Sequence, residues 1–151
     1  MSSLLVACQN AKPTAQPGTF TEADVAKLKW LEGTWRGTGE KQPAFFERYK
    51  LEGSTLIVEG LADETGQKVN DTSRFELKNG RFGKIQGNSE SAASAITDTY
   101  VQFIPVRGRK NSFRFEKQSD GTWRAVIEWP ADGDKPARTI VYRMEPVTAK
   151  N

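Results

Sequence analysis

The spacing of apolar residues changes once along this chain. Val25, Leu28 and Leu31, with Trp30 alongside, recur at helical spacing behind Thr21-Glu22-Ala23-Asp24. Thr21 is a capping residue, Asp24 stands at the capping-box position, and acids in a first turn suit the helix dipole. Gly33 is the stop signal. From Thr34 onward the period becomes two, with frequent turn residues. Strands are predicted at Thr34–Glu40, Phe45–Leu51, Thr55–Leu61, Lys68–Lys78, Arg81–Gln86, Thr99–Ile104, Ser112–Lys117, Thr122–Trp129 and Arg138–Glu145. Glu52-Gly53, Asn79-Gly80 and Ser119-Asp120-Gly121 supply residues that tolerate positive φ. Asn79-Gly80 is the strongest hairpin signal, flanked by Phe75, Leu77 and Phe82. Asn88 to Ile96 is small and polar and reads as a loop, and Pro130 to Pro136 as a polar turn.

A short helix followed by this many short strands predicts an all-β domain. Closure into one antiparallel barrel of about eight to ten strands removes exposed sheet edges. A two-sheet sandwich is the alternative. The domain is predicted over residues 21–147, with 148–151 a tail and 9–20 a tether rich in Pro, Ala, Gln and Thr. No apolar run is long enough to span a membrane as a helix.

Composition narrows the chemistry. The chain has no histidine, which removes the Ser-His-Asp triad, the Cys-His pair and the commonest metal ligand. No catalytic residue, metal or cofactor is predicted. An enzyme here would work with carboxylates, Tyr, Lys or Arg. The net charge is +3. Arg107, Arg109 and Lys110 cluster around Gly108 and read as a solvated loop. Recognition motifs for nucleic acid are absent, so none is predicted as a partner. An anionic lipid surface is a more plausible and equally unspecific attractant.

Leu5-Val6-Ala7-Cys8 resembles a bacterial lipobox, and Cys8 is the single cysteine. The resemblance implies lipid attachment at Cys8, with residues 1–8 the end of a lipoprotein signal. Seven residues precede Cys8 and none is basic, so the motif implies a start further upstream. Gln9 is not the aspartate that favours inner-membrane retention. The expected address is the cell envelope, lipid-anchored at the outer membrane and facing the periplasm. Each buried methylene contributes about 0.8 kcal/mol, so two or more acyl chains anchor durably. The alternative is a cytosolic protein with a disordered tail and a stray cysteine.

Trp30-Leu31-Glu32-Gly33-Thr34-Trp35-Arg36-Gly37-Thr38-Gly39 resembles the opening of lipocalin-like barrels, which carry Gly-x-Trp on the first strand. The longer Leu-x-Gly-x-Trp-x-Gly-x-Gly form is similar to nitrobindin and related domains of uncharacterised function. Phe45-Phe46-Glu47-Arg48-Tyr49, with Gly53 and Leu56, is similar to the second strand of some of those families. The resemblance implies that Gly33, Trp35 and Gly37 close the barrel. It also implies that a late arginine, Arg143 first and Arg138 second, stacks over Trp35. Nitrobindin holds haem iron through a histidine that this chain lacks, so haem chemistry does not carry over.

Alternation places Phe45, Glu47, Tyr49 and Leu51 on one face, and Trp123, Ala125, Ile127 and Trp129 on another. Ile140, Tyr142 and Met144 form a third. These aromatics either fill the barrel or line a cavity built from Tyr49, Trp123, Trp129 and Tyr142. Glu47 sits among apolar neighbours and must be paired or protonated. Arg74, Arg114 and Arg143 are candidate partners, and Glu59 is a weaker case of the same kind. The leading expectation is a non-enzymatic envelope lipoprotein whose barrel binds a small apolar molecule, with Glu47, Tyr49, Trp123, Trp129 and Tyr142 as ligand-binding residues. It predicts a continuous apolar cavity with its mouth at the loops. A filled barrel serving a protein partner is the alternative. An enzyme using Glu47 and a tyrosine is the third reading.

Overall fold

The computed structural model describes residues 15–148. Cys8 and the first part of the tether lie outside the described residues. The folded part begins before Thr21: the Gly18 N–H donates to the Ala93 carbonyl at 2.9 Å, and the Phe20 N–H to the Gly80 carbonyl at 2.7 Å. Helix α1 (Glu22–Ala26) follows, started by the expected capping box. The Thr21 N–H donates to Asp24 Oδ2 at 2.9 Å, and the Asp24 N–H donates to Thr21 Oγ1 at 3.3 Å. A 3-10 turn, Lys27–Leu31, continues it. Val25, Leu28 and Leu31 are fully buried, as their helical spacing predicts.

Ten strands follow: β1 (Gly33–Gly39), β2 (Gln42–Glu52), β3 (Thr55–Leu61), β4 (Val69–Lys78), β5 (Arg81–Gln86), β6 (Ser89–Thr97), β7 (Tyr100–Arg107), β8 (Ser112–Lys117), β9 (Trp123–Trp129) and β10 (Arg138–Pro146). Each pairs antiparallel with its neighbours in sequence, and β1 pairs with β10 to close the barrel. The closed barrel is the expected fold, and the sandwich is excluded. Asn79 and Gly80 both take positive φ between β4 and β5, as their hairpin requires.

One element differs from expectation. The stretch expected as a loop, Asn88 to Ile96, holds strand β6. Its residues are small because neighbouring backbone lies close. A Cβ on Gly83 would fall 2.1 Å from the Ser91 carbonyl oxygen, and Ala92 and Ala93 are fully buried. Register shifts at Glu90/Ser91 and Ala93/Ala95 also break the two-residue period that would have revealed a strand.

The helical segment covers one end of the barrel, and Trp35 joins the two. Its indole N–H donates to the Leu31 carbonyl at 2.8 Å. Trp123 packs edge-on against Trp35, Trp30 and Tyr49, with centroids 5.9, 6.3 and 5.3 Å away. Phe115, Phe103 and Phe75 continue this core across the barrel. The glycines beside Trp35 make room for rings from the adjoining strands. A Cβ at Gly37 would lie 2.2 Å from the Phe45 ring, and one at Gly39 would lie 2.8 Å from Tyr142. Gly33 takes φ +137°, a region that favours glycine.

The arginine expected over Trp35 is elsewhere. Arg143 lies between the inward residues Tyr142 and Met144, so alternation turns it outward. It pairs there with Asp120 at 3.1 Å and Glu145 at 3.0 Å. Arg138 stacks on Trp129, 4.0 Å from the ring centroid, at the end of the barrel away from the helix. Closure therefore rests on Trp35, its bond to Leu31 and the glycines, without a cation.

Candidate functional site

The inward face of β2 carries Phe45, Glu47, Tyr49 and Leu51, as alternation predicts. Tyr49 is buried, and its hydroxyl donates to Glu47 Oε2 at 3.3 Å. Glu47 has no arginine. Arg114 lies between the inward rings Phe113 and Phe115 and points out to Glu116 and Glu128. Arg143 is held outside by Asp120 and Glu145. Arg74, between Ser73 and Phe75, forms no ion pair among the described residues. All three are excluded by the alternation that brings their neighbours inside.

Two further strands complete the surroundings of Glu47. It pairs across β3 with Gly60, and Gly60 pairs with Asp71 on β4. A Cβ on Gly60 would sit 2.0 Å from Asp71 Oδ1, so the missing side chain lets this carboxylate lie across β3. On β5, Lys84 shares the inward face of Phe82. Its ammonium donates to Ser73 Oγ at 2.9 Å and lies 5.9 Å from the Phe75 ring centroid.

Burial raises the Glu47 carboxyl to about 6, and the nearby Asp71 charge adds to the rise; the Tyr49 hydroxyl and the Lys84 charge oppose it. Burial, then the Glu47 charge and the hydrogen bond to Glu47, push the Tyr49 phenol well above its ordinary value. Burial lowers Lys84, with the Arg109 charge second. The cluster therefore holds one carboxyl that changes charge near neutral pH, with a hydroxyl donating to it.

Glu59 behaves in the opposite way. It lies on the outer face of β3, bound by Arg48 at 3.3 and 3.2 Å and by Lys50 at 2.8 Å. Hydrogen bonds from Arg48 and then Lys50 lower it to about 2. It is a structural ion cluster, not a second interior carboxylate.

The remaining predicted residues do not gather around Glu47. Trp123 is 1 % exposed and belongs to the packed core, touching the site only through Tyr49. Its indole N–H has no partner among the described residues. Tyr142 packs edge-on against Phe45, centroids 5.1 Å apart, on the β1 side. Trp129 lies apart, in a concavity of about 530 Å³ shared with Pro105, Lys110 and Arg138. Asp71, Ser73 and Lys84 went unnoticed in the sequence, although alternation with Phe75 and Phe82 turns all three to the inner face, where Asp71 is exposed.

The concavity beside the site is a groove of about 700 Å³ in the barrel wall, lined by residues that include Thr72, Ser73, Arg74, Gly83, Lys84 and Gln86. This groove opens on the barrel wall, apart from the loop-end mouth that the sequence predicts. Its cause is a split: β4 and β5 pair only from Glu76↔Gly83 to Lys78↔Arg81, although both strands continue beyond. The Lys84–Ser73 hydrogen bond spans the split.

The chain matches no protein-family model and no curated protein.

A carboxyl raised from 4.5 to about 6 binds its proton more tightly in the folded state. Its contribution to stability is therefore most favourable below about pH 4.5 and declines as pH rises through 6, by roughly 2 kcal/mol in all. Urea denaturation of the wild type and Glu47→Gln from pH 4.5 to 7.5 reads this directly. The variant should gain on the wild type by up to roughly that amount toward pH 7.5. A difference that stays flat across this range contradicts the assignment.

Proposed function

We propose that this chain is a cell-envelope lipoprotein whose barrel binds a small, largely apolar molecule without transforming it. The observation that carries the reading is Glu47: a carboxyl on the inner face of the barrel, held among the described residues only by a tyrosine hydroxyl, beside a split in the wall. A carboxyl placed there costs stability when it is charged, because only one hydroxyl donates to it among the described residues. Ligand sites of this kind are mostly apolar, with a few placed polar groups. Phe45, with Tyr142 packed on its far side, and the edge of the core at Phe75 supply the apolar boundary, and Glu47, Tyr49, Ser73 and Lys84 the polar groups. Trp123 and Trp129 take no part in it.

The packed aromatics between the helix and Phe103 favour a second reading, a filled barrel that serves a protein partner. The acid–base reading rests on the same Glu47–Tyr49 contact and lacks a second group with a defined role in a reaction.

Titration with the neutral dye N-phenyl-1-naphthylamine separates the first two. The binding reading predicts saturable fluorescence with one dye per barrel. Binding should be tighter at pH 5 than at pH 7.5, because the carboxyl is neutral below about 6, and Glu47→Gln should remove that difference. No saturable signal at either pH leaves the filled barrel standing.

The anchor has its own test. In a bacterial host, the protein expressed from its native gene start should incorporate labelled palmitate and sediment with membranes. Cys8→Ser should abolish both. Incorporation that survives the substitution, or none in the wild type, sinks the lipobox.

A further inference from the structure

The wall split carries cations with no carboxylate in direct contact among the described residues, although Asp71 and Glu47 act on Lys84 from further in. Among the residues along it, Glu76 is paired with Lys78 at 3.1 Å, and Glu90 is paired with Arg81 at 3.5 Å and Arg107 at 3.0 Å. Arg74 and Lys84 have no acidic partner within ion-pair distance among the described residues. Arg109, whose charge acts on Lys84, donates only to the Gln86 side-chain oxygen at 3.2 Å. Three cations thus stand around one opening without a counter-charge in contact.

Their positions differ in a useful way. Arg74 lies on the outer face of β4, at the groove. Lys84 comes from the inner face of β5 and closes the split through Ser73. If its ammonium leaves the Ser73 hydroxyl for a stronger acceptor, the closing contact is lost. Behind it lies the Phe75 ring, packed against Phe82, Phe103 and Phe113, so a ligand body passing this point must move that ring. Asp71 and Glu47 repel an anion from travelling further in.

We propose that the split between β4 and β5 binds the anionic head of a small single-chain amphipathic molecule, received by Arg74 and Lys84, while its apolar body enters the barrel past Phe75. This inference rests on the barrel being a binding module, and it adds the ligand's charge and its point of entry. An anionic acceptor suits both side chains, because hydrogen bonds to charged partners are stronger than those to a neutral hydroxyl.

The test compares cis-parinaric acid with its methyl ester at pH 7.5, read by polyene fluorescence. The two probes share a chain and differ in head charge. The wild type should bind the acid about tenfold more tightly than the ester. Lys84→Gln and Arg74→Gln should each erode that preference, weakening the acid more than the ester. Lys84→Arg keeps the charge and should keep the preference, as should Arg124→Gln, which alters an outward arginine on β9. Tryptophan fluorescence and thermal midpoints check that each variant is folded, and the wild-type comparison needs no variant. Equal affinity for acid and ester overturns the anionic site but leaves the barrel reading intact. So does a preference that survives both glutamine substitutions. Binding of neither probe, nor of the neutral dye, overturns both.

Discussion

β1 is the strand on which closure depends, and it is nearly bare on its inner face. Three of its inward positions are Gly33, Gly37 and Gly39, and the fourth is Trp35. A ten-strand barrel must join its first and last strands, and the rings of Phe45 and Tyr142 stand where β1 meets β2 and β10. Any side chain at Gly37 or Gly39 would collide with one of them. The one large residue is tied by its indole N–H to the end of the 3-10 turn. The same strand therefore closes the barrel and fixes the helical segment across one end.

That arrangement divides the interior. At the helix end, Leu28, Leu31, Trp35, Trp123 and Met144 are buried and leave little room. Toward the other end, on β2 to β5, the inward positions are occupied by Glu47, Gly60, Asp71, Ser73 and Lys84. Tyr49 donates to Glu47 there and Lys84 to Ser73, while Asp71 is exposed. The split also limits β4–β5 pairing to three residue pairs, the weakest seam in the wall.

Much of the fold was legible because it depends on local chemistry. The capping box at Thr21, the Asn79-Gly80 hairpin and the alternating strands needed only nearest neighbours to be read. β6 was hidden because its small residues answer to Gly83 and to the docked Gly18 segment, both distant in sequence. Glu47 and Tyr49 were legible as inward residues on one strand. Lys84 and Asp71 were equally inward, but their pairing with Ser73 and Gly60 depends on strand register. The expected Arg143–Trp35 stack came from resemblance, and alternation on β10 alone contradicts it.

The central claim is that a ligand occupies the polar half of the interior and leaves the aromatic half untouched. Side-chain NMR of the protein with and without N-phenyl-1-naphthylamine tests it most directly. The account predicts shifts at Phe45, Glu47, Ser73, Lys84 and Tyr142, with Leu28, Leu31, Trp35 and Met144 unmoved. Shifts concentrated on Trp35 and Met144, with Glu47 and Lys84 unchanged, would contradict it.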